Sequence, residues 1–183
     1  MKVVLSTPGR FHTFDLARQL HQRGALRTVF SGYPRFKLKG EHLPSNKIRT
    51  WPWLQTPYMA IAWRLSVRIR REWEWLGQRA MDAHVARVLP DCDVLVALSG
   101  GGLKSGLKAQ SQGGIYVCDR GSAHIRVQDQ LMRSEAERWG FAFEGIDPRV
   151  IDMEEQEYTQ ADAITVPSTF SQRSFIDQGF DPK

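Results

Sequence analysis

Three short stretches hold most of the residues whose types and spacing suit chemistry: "TPGRFHTF" at 7–14, "SGGGLKSG" at 99–106 and "DRGSAHI" at 119–125. Each joins glycine or a hydroxyl to a basic side chain. Glycine lets backbone N–H groups approach a ligand closely, and the start of a following helix favours an anion. The candidates in them are Gly9, Arg10, Phe11 and His12, then Gly100 and Gly101, then Arg120, Gly121, Ser122 and His124. Ser168, in "VPSTF", is a further candidate, although Ser-Thr ahead of a helical pattern reads first as an N-cap. Neither glycine stretch meets a nucleotide-binding fingerprint. "TPGRFH" is not GxGxxG, and in "GGGLKSG" Leu103 separates Lys104 from Gly102, so the GK[ST] element of a nucleoside triphosphatase is absent. No Ser/His/Asp spacing points to hydrolysis. The acidic run "DMEEQEY" at 152–158 reads as a solvated helix face.

Elements must hold these stretches in place, and the hydrophobic pattern supplies them. Runs rich in β-branched or aromatic residues predict strands at 2–7, 25–32, 47–51, 93–98, 114–119 and 163–168. Several are nearly continuous apolar runs, as expected of strands covered on both faces of a parallel sheet. Helical patterns lie between them. One runs through Phe14, Ala17 and Leu20 and is stopped by Gly24, and another runs through Leu131, Ala136 and Trp139 ahead of Gly140. Asp147-Pro148 reads as an N-cap and first-turn pair opening a helix to about Ala161. Strands alternating with helices predict an α/β doubly wound, mostly parallel sheet. In such a sheet ligands bind at the carboxyl ends of the strands, where the three stretches fall.

The longest helical pattern runs from Tyr58 to Leu89, with an apolar stripe through Tyr58, Leu65, Ile69, Trp73 and Leu76 and a second stripe of Arg64, Arg68, Arg71 and Arg79. It reads either as a long packing helix with a charged outer face or as a peripheral contact with an anionic membrane. The charge is divided: residues 1–89 hold 16 Lys/Arg against 5 Asp/Glu, and residues 90–183 hold 9 against 15. A basic first half suits phosphate-bearing ligands or an anionic surface, and nothing suggests nucleic acid. The 183 residues suit one domain. Cys92 and Cys118 have neither CxxC spacing nor paired histidines, so buried reduced thiols in a cytoplasmic protein are expected.

The segments in order resemble family 4 glycosyltransferases. "MKVVLSTPGRFHTFDLARQLHQRGAL" resembles that family's opening strand, loop and helix, and "VCDRGSAHIRVQDQLMRSE" its segment with a histidine after a central strand. "IDMEEQEYTQADAITVPSTFSQRSFIDQGFDPK" resembles its approach to an interdomain hinge. The resemblance implies the GT-B architecture, two Rossmann-like domains facing across a cleft. This chain would be the N-terminal, acceptor-side domain, and the nucleotide-sugar domain would lie beyond Lys183. It further implies transfer of a sugar from a nucleotide-sugar donor to a glycan, lipid-linked or small-molecule acceptor. The anomeric configuration would be retained, with no metal or other cofactor required. By resemblance His124 contacts the donor sugar near the reacting carbon, and Gly9 and Arg10 approach the diphosphate or the acceptor. The fragment alone is expected to be inactive. Two other readings stay open: a non-catalytic anion- or nucleotide-binding α/β module, and half of a GT-B nucleotide-sugar epimerase. A peripheral position at the inner membrane face is the corresponding expectation for location.

Overall fold

The computed structural model describes residues 1–182. Six strands form one sheet: β1 (Val3–Thr7), β2 (Leu26–Ser31), β3 (Ile48–Thr50), β4 (Val94–Leu98), β5 (Ile115–Asp119) and β6 (Ala163–Thr165). Their spatial order is β3-β2-β1-β4-β5-β6, and every neighbouring pair is parallel. This is the Rossmann-like α/β sheet that the strand–helix alternation predicts. All six predicted strands are present, each shorter by one to three residues. The order reverses between β1 and β4, so the loops after those two strands diverge and leave a crevice at the carboxyl rim.

Side chains of β1 alternate between two cores. Val3 and Leu5 pack with Phe14 and Ala17 of α1 (Thr13–Gln22), together with Leu26, Val29 and Ile48. Val4 faces the opposite side, with Phe30, Leu95, Ala97, Tyr116, Met81 and Val85. Three helices cover that second face: α3 (Val67–Val88), α4 (Leu103–Ser111) and α6 (Pro148–Gln160). Fully burying a side chain such as Phe14 or Leu95 contributes about 1.5–3 kcal/mol. Double coverage, as the apolar runs predict, holds for β1 and β2. In β4 and β5 only alternate residues are buried, and Ile115 is 50% exposed, because α1 reaches only the β1–β2 side of the first face.

Several local signals hold. Gly24 and Gly140 take the left-handed conformation that ends α1 and α5 (Ile125–Trp139). The Asp147 side chain accepts from Arg149 N, and Pro148 opens α6. Ser168 accepts from Ser171 N and caps α7 (Thr169–Ile176).

The long helix does not hold as one piece. It is broken into α2 (Gln55–Ile61), a tight turn at Ala62–Arg64 and α3, with Leu65 extended and Ser66 capping the new start. The apolar stripe is not the packing face either. Ile69 and Leu76 are exposed, and Tyr58 and Trp73 face each other between α2 and α3. Contact with the core comes from Met81 and Val85 instead.

Gly106 shows how tightly α4 lies on the sheet. A methyl placed there would sit 2.4 Å from the Tyr116 ring, which is fully buried. Gly106→Ala should therefore destabilise the protein by about 1–3 kcal/mol in chemical denaturation, despite the better helix propensity of alanine. Gly101→Ala meets open space and should stay within about 0.5 kcal/mol of the parent.

Candidate active site at the carboxyl rim

The rim carries an exposed histidine backed by a carboxylate. His12, the residue before α1, places Nε2 2.7 Å from Asp119 Oδ2 at the end of β5. The other oxygen of Asp119 accepts from Thr165 Oγ1 at 2.9 Å. The His12 side chain is 53% exposed and that of Asp119 13%, so the carboxylate orients a ring that solvent or a ligand can reach. Gly121 lies against the ring, with its Cβ position 3.6 Å from Cε1. Ser122 stands half-buried beside it, and Phe11 is exposed on the neighbouring loop. An imidazole held by a carboxylate can take or give a proton at its free edge. His12 was a candidate from sequence, but Asp119 and Thr165 were not, since only the parallel register of β5 and β6 brings them together.

The glycine loop after β4 meets a carboxyl group, though not one from outside. Glu157 of α6 accepts from Gly100 N at 2.6 Å through one oxygen and from Gly102 N at 2.8 Å through the other. Asp82 of α3 accepts from Lys104 N at 2.7 Å, Ser105 N at 2.9 Å and Ser105 Oγ at 2.7 Å, which covers the positive end of α4. The acidic run is therefore not a solvated face, because Glu154 and Glu157 are buried. Their positions betray it: Ile151, Glu154 and Tyr158 share one helical stripe that packs inward. Burial pushes the Glu157 carboxyl up to about 8, against the two loop amides, which favour its charge; the carboxylates of Glu154 and Asp82 add to the rise. Burial also raises Glu154, opposed by Arg120.

Several sequence candidates have internal partners. Arg120 is buried; it pairs with Glu154 at 2.8 Å and donates to Ala123 O and Ser99 Oγ. His124 is 1% exposed. Its Nδ1 accepts from Arg126 N at 3.3 Å, and its ring packs against Tyr158, Phe175 and Phe180 at 5.0–5.8 Å. Burial lowers its pKa, and in this arrangement the ring caps α5. The Arg10 guanidinium pairs with the buried Glu41, which also takes Arg18 at 2.9 Å. Gly9 is buried, and its carbonyl accepts from Ser31 Oγ. Gly101 lies half-buried at the crevice, and Ser168 remains exposed with its hydroxyl engaged in the cap.

Two hollows lie elsewhere. One of about 390 Å³ runs beside β6 and α7, and none of the three loops lines it. Another of about 330 Å³ lies over the first turn of α4, between Lys104, Arg79, Arg149 and the Trp75 indole, which both arginines overlie.

No family model matches this chain, and no curated protein matches it in sequence. Solved structures do match in fold. One is a Listeria monocytogenes protein assigned as a UDP-N-acetylglucosamine 2-epimerase, with 14% identity, a TM-score of 0.55, and coverage of 99% of this chain and 42% of the other. Another is S. aureus MnaA solved with UDP, with 12% identity, a TM-score of 0.53, and coverage of 98% and 41%. The chain thus spans about two fifths of the length of the structures it matches. At these identities the likeness establishes the fold: a Rossmann-like domain of the kind found in GT-B-like proteins.

The raised carboxyls set a pH dependence. Glu157 in the folded protein binds its proton more tightly than in the unfolded chain. Its contribution to stability is therefore full below about pH 4.5 and is lost as pH rises through about 8. Thermal midpoints should fall across that window. In Glu157→Gln the slope should flatten, leaving the part due to Glu154, while the midpoint at low pH drops because one loop amide faces an NH₂ group. That mismatch should cost about 1–3 kcal/mol. A midpoint that rises with pH across the window would contradict the assignment.

Proposed function

We propose that this chain is the Rossmann-like half of a two-domain enzyme that acts on a nucleotide-activated sugar, with its crevice forming one wall of the cleft. The observation that carries the reading is the exposed His12–Asp119 pair at the rim of a sheet that reverses order beside it. The fold likeness supports it, since nearly the whole chain superposes on proteins linked to UDP or a UDP-sugar. Breaking the bond between sugar and nucleotide places negative charge on phosphate oxygens, and a cleft closed by two domains stabilises that charge and excludes water. The second domain would grip the nucleotide, because the rim amides of Gly100 and Gly102 are already bonded to Glu157.

Two chemistries fit this wall. The structural neighbours favour isomerisation within the nucleotide-sugar, in which a base removes a carbon-bound proton that returns to the other face of the sugar. The ordered resemblance to family 4 glycosyltransferases favours transfer of the sugar to an acceptor hydroxyl lying on the His12 side. Both need a proton-handling group at the open rim, and His12 is placed for that role with Asp119 fixing its ring. No metal is assigned to either reaction.

Product analysis of the full-length protein with nucleotide-sugars separates the two: an isomerised sugar supports the first, a new glycosidic bond the second, and neither product with any nucleotide-sugar would refute the class. In either reaction His12→Ala should lower kcat by about 10²–10⁴-fold with little change in KM. Asp119→Asn should lower it less, because a neutral amide still orients the ring but no longer balances charge that develops on it. Full activity in both variants would remove the pair from the mechanism.

A further inference from the structure

Between Glu41 and Glu72 there is no acidic residue, while Lys47, Arg49, Arg64, Arg68, Arg70 and Arg71 fall within that span. The fold places the stretch after β3 at a particular end of the molecule. β3 finishes at Thr50 on the carboxyl rim, and α3 starts at Val67 and runs back towards the amino end of β4. Trp51–Ser66 and the first turns of α3 therefore stand at the same end of the sheet as His12 and Asp119.

The break in the helix gives this stretch two sides. Trp73 Nε1 donates to Leu54 O at 3.1 Å and Tyr58 packs on Trp73, so α2 leans against α3 through an inner side. Beside that contact, Trp53 and Trp63 are each 73% exposed, and Met59 and Val67 about half exposed. Arg64 lies over the Trp63 ring at 4.4 Å, and Arg68 stands exposed in the first turn of α3. Large apolar side chains left exposed within one short stretch suit an interaction site.

We infer that this knuckle docks on an anionic lipid bilayer. Tryptophans settle at the headgroup level, aliphatic side chains reach the acyl boundary, and arginines beside them pair with lipid phosphates. Arg64 and Arg68 beside exposed tryptophans suit that negative surface, whereas Arg71 already pairs with Glu144 and the Tyr58 hydroxyl with Glu74. The contact is peripheral, since no helix among the described residues is long and apolar enough to cross a membrane. Docked this way, the rim faces the bilayer, and the substrate meeting the crevice is a lipid-borne one. That last step rests on the proposed function, whereas the lipid contact does not, so failure of one leaves the other standing.

Flotation of the protein with vesicles of phosphatidylcholine alone, or mixed with phosphatidylglycerol, tests the contact. Binding is expected to the mixed vesicles only, with release near 1 M salt, where the screening length shrinks to about 3 Å. Arg64→Glu combined with Arg68→Glu should weaken it by on the order of tenfold or more. Trp53→Ala with Trp63→Ala should weaken it too, with circular dichroism unchanged because these side chains are exposed. Inorganic phosphate at matched ionic strength should not displace the protein, and specific displacement would mean a phosphate site instead. Absence of binding, equal binding to both vesicle types, or self-association that the tryptophan variants abolish without any vesicle binding would overturn the inference.

Discussion

The bonds from Gly100 N and Gly102 N to Glu157 organise the site end of this molecule. A glycine loop after a central strand brings its N–H groups together, and donors concentrated in that way demand an acceptor. Here α6 supplies one from inside, and Asp82 on α3 does the same for the first turn of α4. Three helices are thereby fastened to one loop. Arg120 joins the arrangement through Glu154, which ties the end of β5 to the same helix. A buried carboxylate is costly to desolvate, and these remain tolerable because amides, a guanidinium or a tyrosine hydroxyl meet each of them.

That arrangement decides where function can reside. Donors that would serve a bound phosphate in another Rossmann-like domain are consumed here, so the rim offers a ligand different groups: the free edge of His12, the Gly121–Ser122 turn and the exposed Phe11. These suit proton handling and contact with a sugar or acceptor better than a grip on a diphosphate. Under the proposed function, a partner domain would hold the nucleotide. The basic half of the chain contains the exposed knuckle, while the buried carboxylates come from both halves, Glu41 and Asp82 from the first and Glu154 and Glu157 from the second.

Much of the fold could be read from the residues, and the reasons are local. All six strands announced themselves through β-branched runs, and Gly24, Gly140, Asp147-Pro148 and Ser168 ended or opened helices through backbone geometry that needs no distant partner. What failed depended on partners far along the chain. A helical period carried through 58–89 concealed the turn at Ala62–Leu65, because Leu65 and Ser66 fit the pattern of a helix as well as its break. Glu154 and Glu157 looked solvated because charge outweighed the stripe they share with Ile151 and Tyr158. For Arg120 and His124, strand-end position says where a residue lies, and the sequence did not show that Glu154 and Phe175 also contact them. Asp119 was overlooked for the opposite reason: its value lies in His12, 107 residues away.

The claim at the centre of this account is that the glycine loop is satisfied from within while His12 remains open to a ligand. Selective ¹⁵N-glycine and ring-labelled histidine spectra of the full-length protein, titrated with a nucleoside diphosphate-sugar, test it directly. The account predicts that the Gly100 and Gly102 amide resonances stay in place while the His12 ring resonances move. Movement of the two glycine amides with an unperturbed His12 would contradict it.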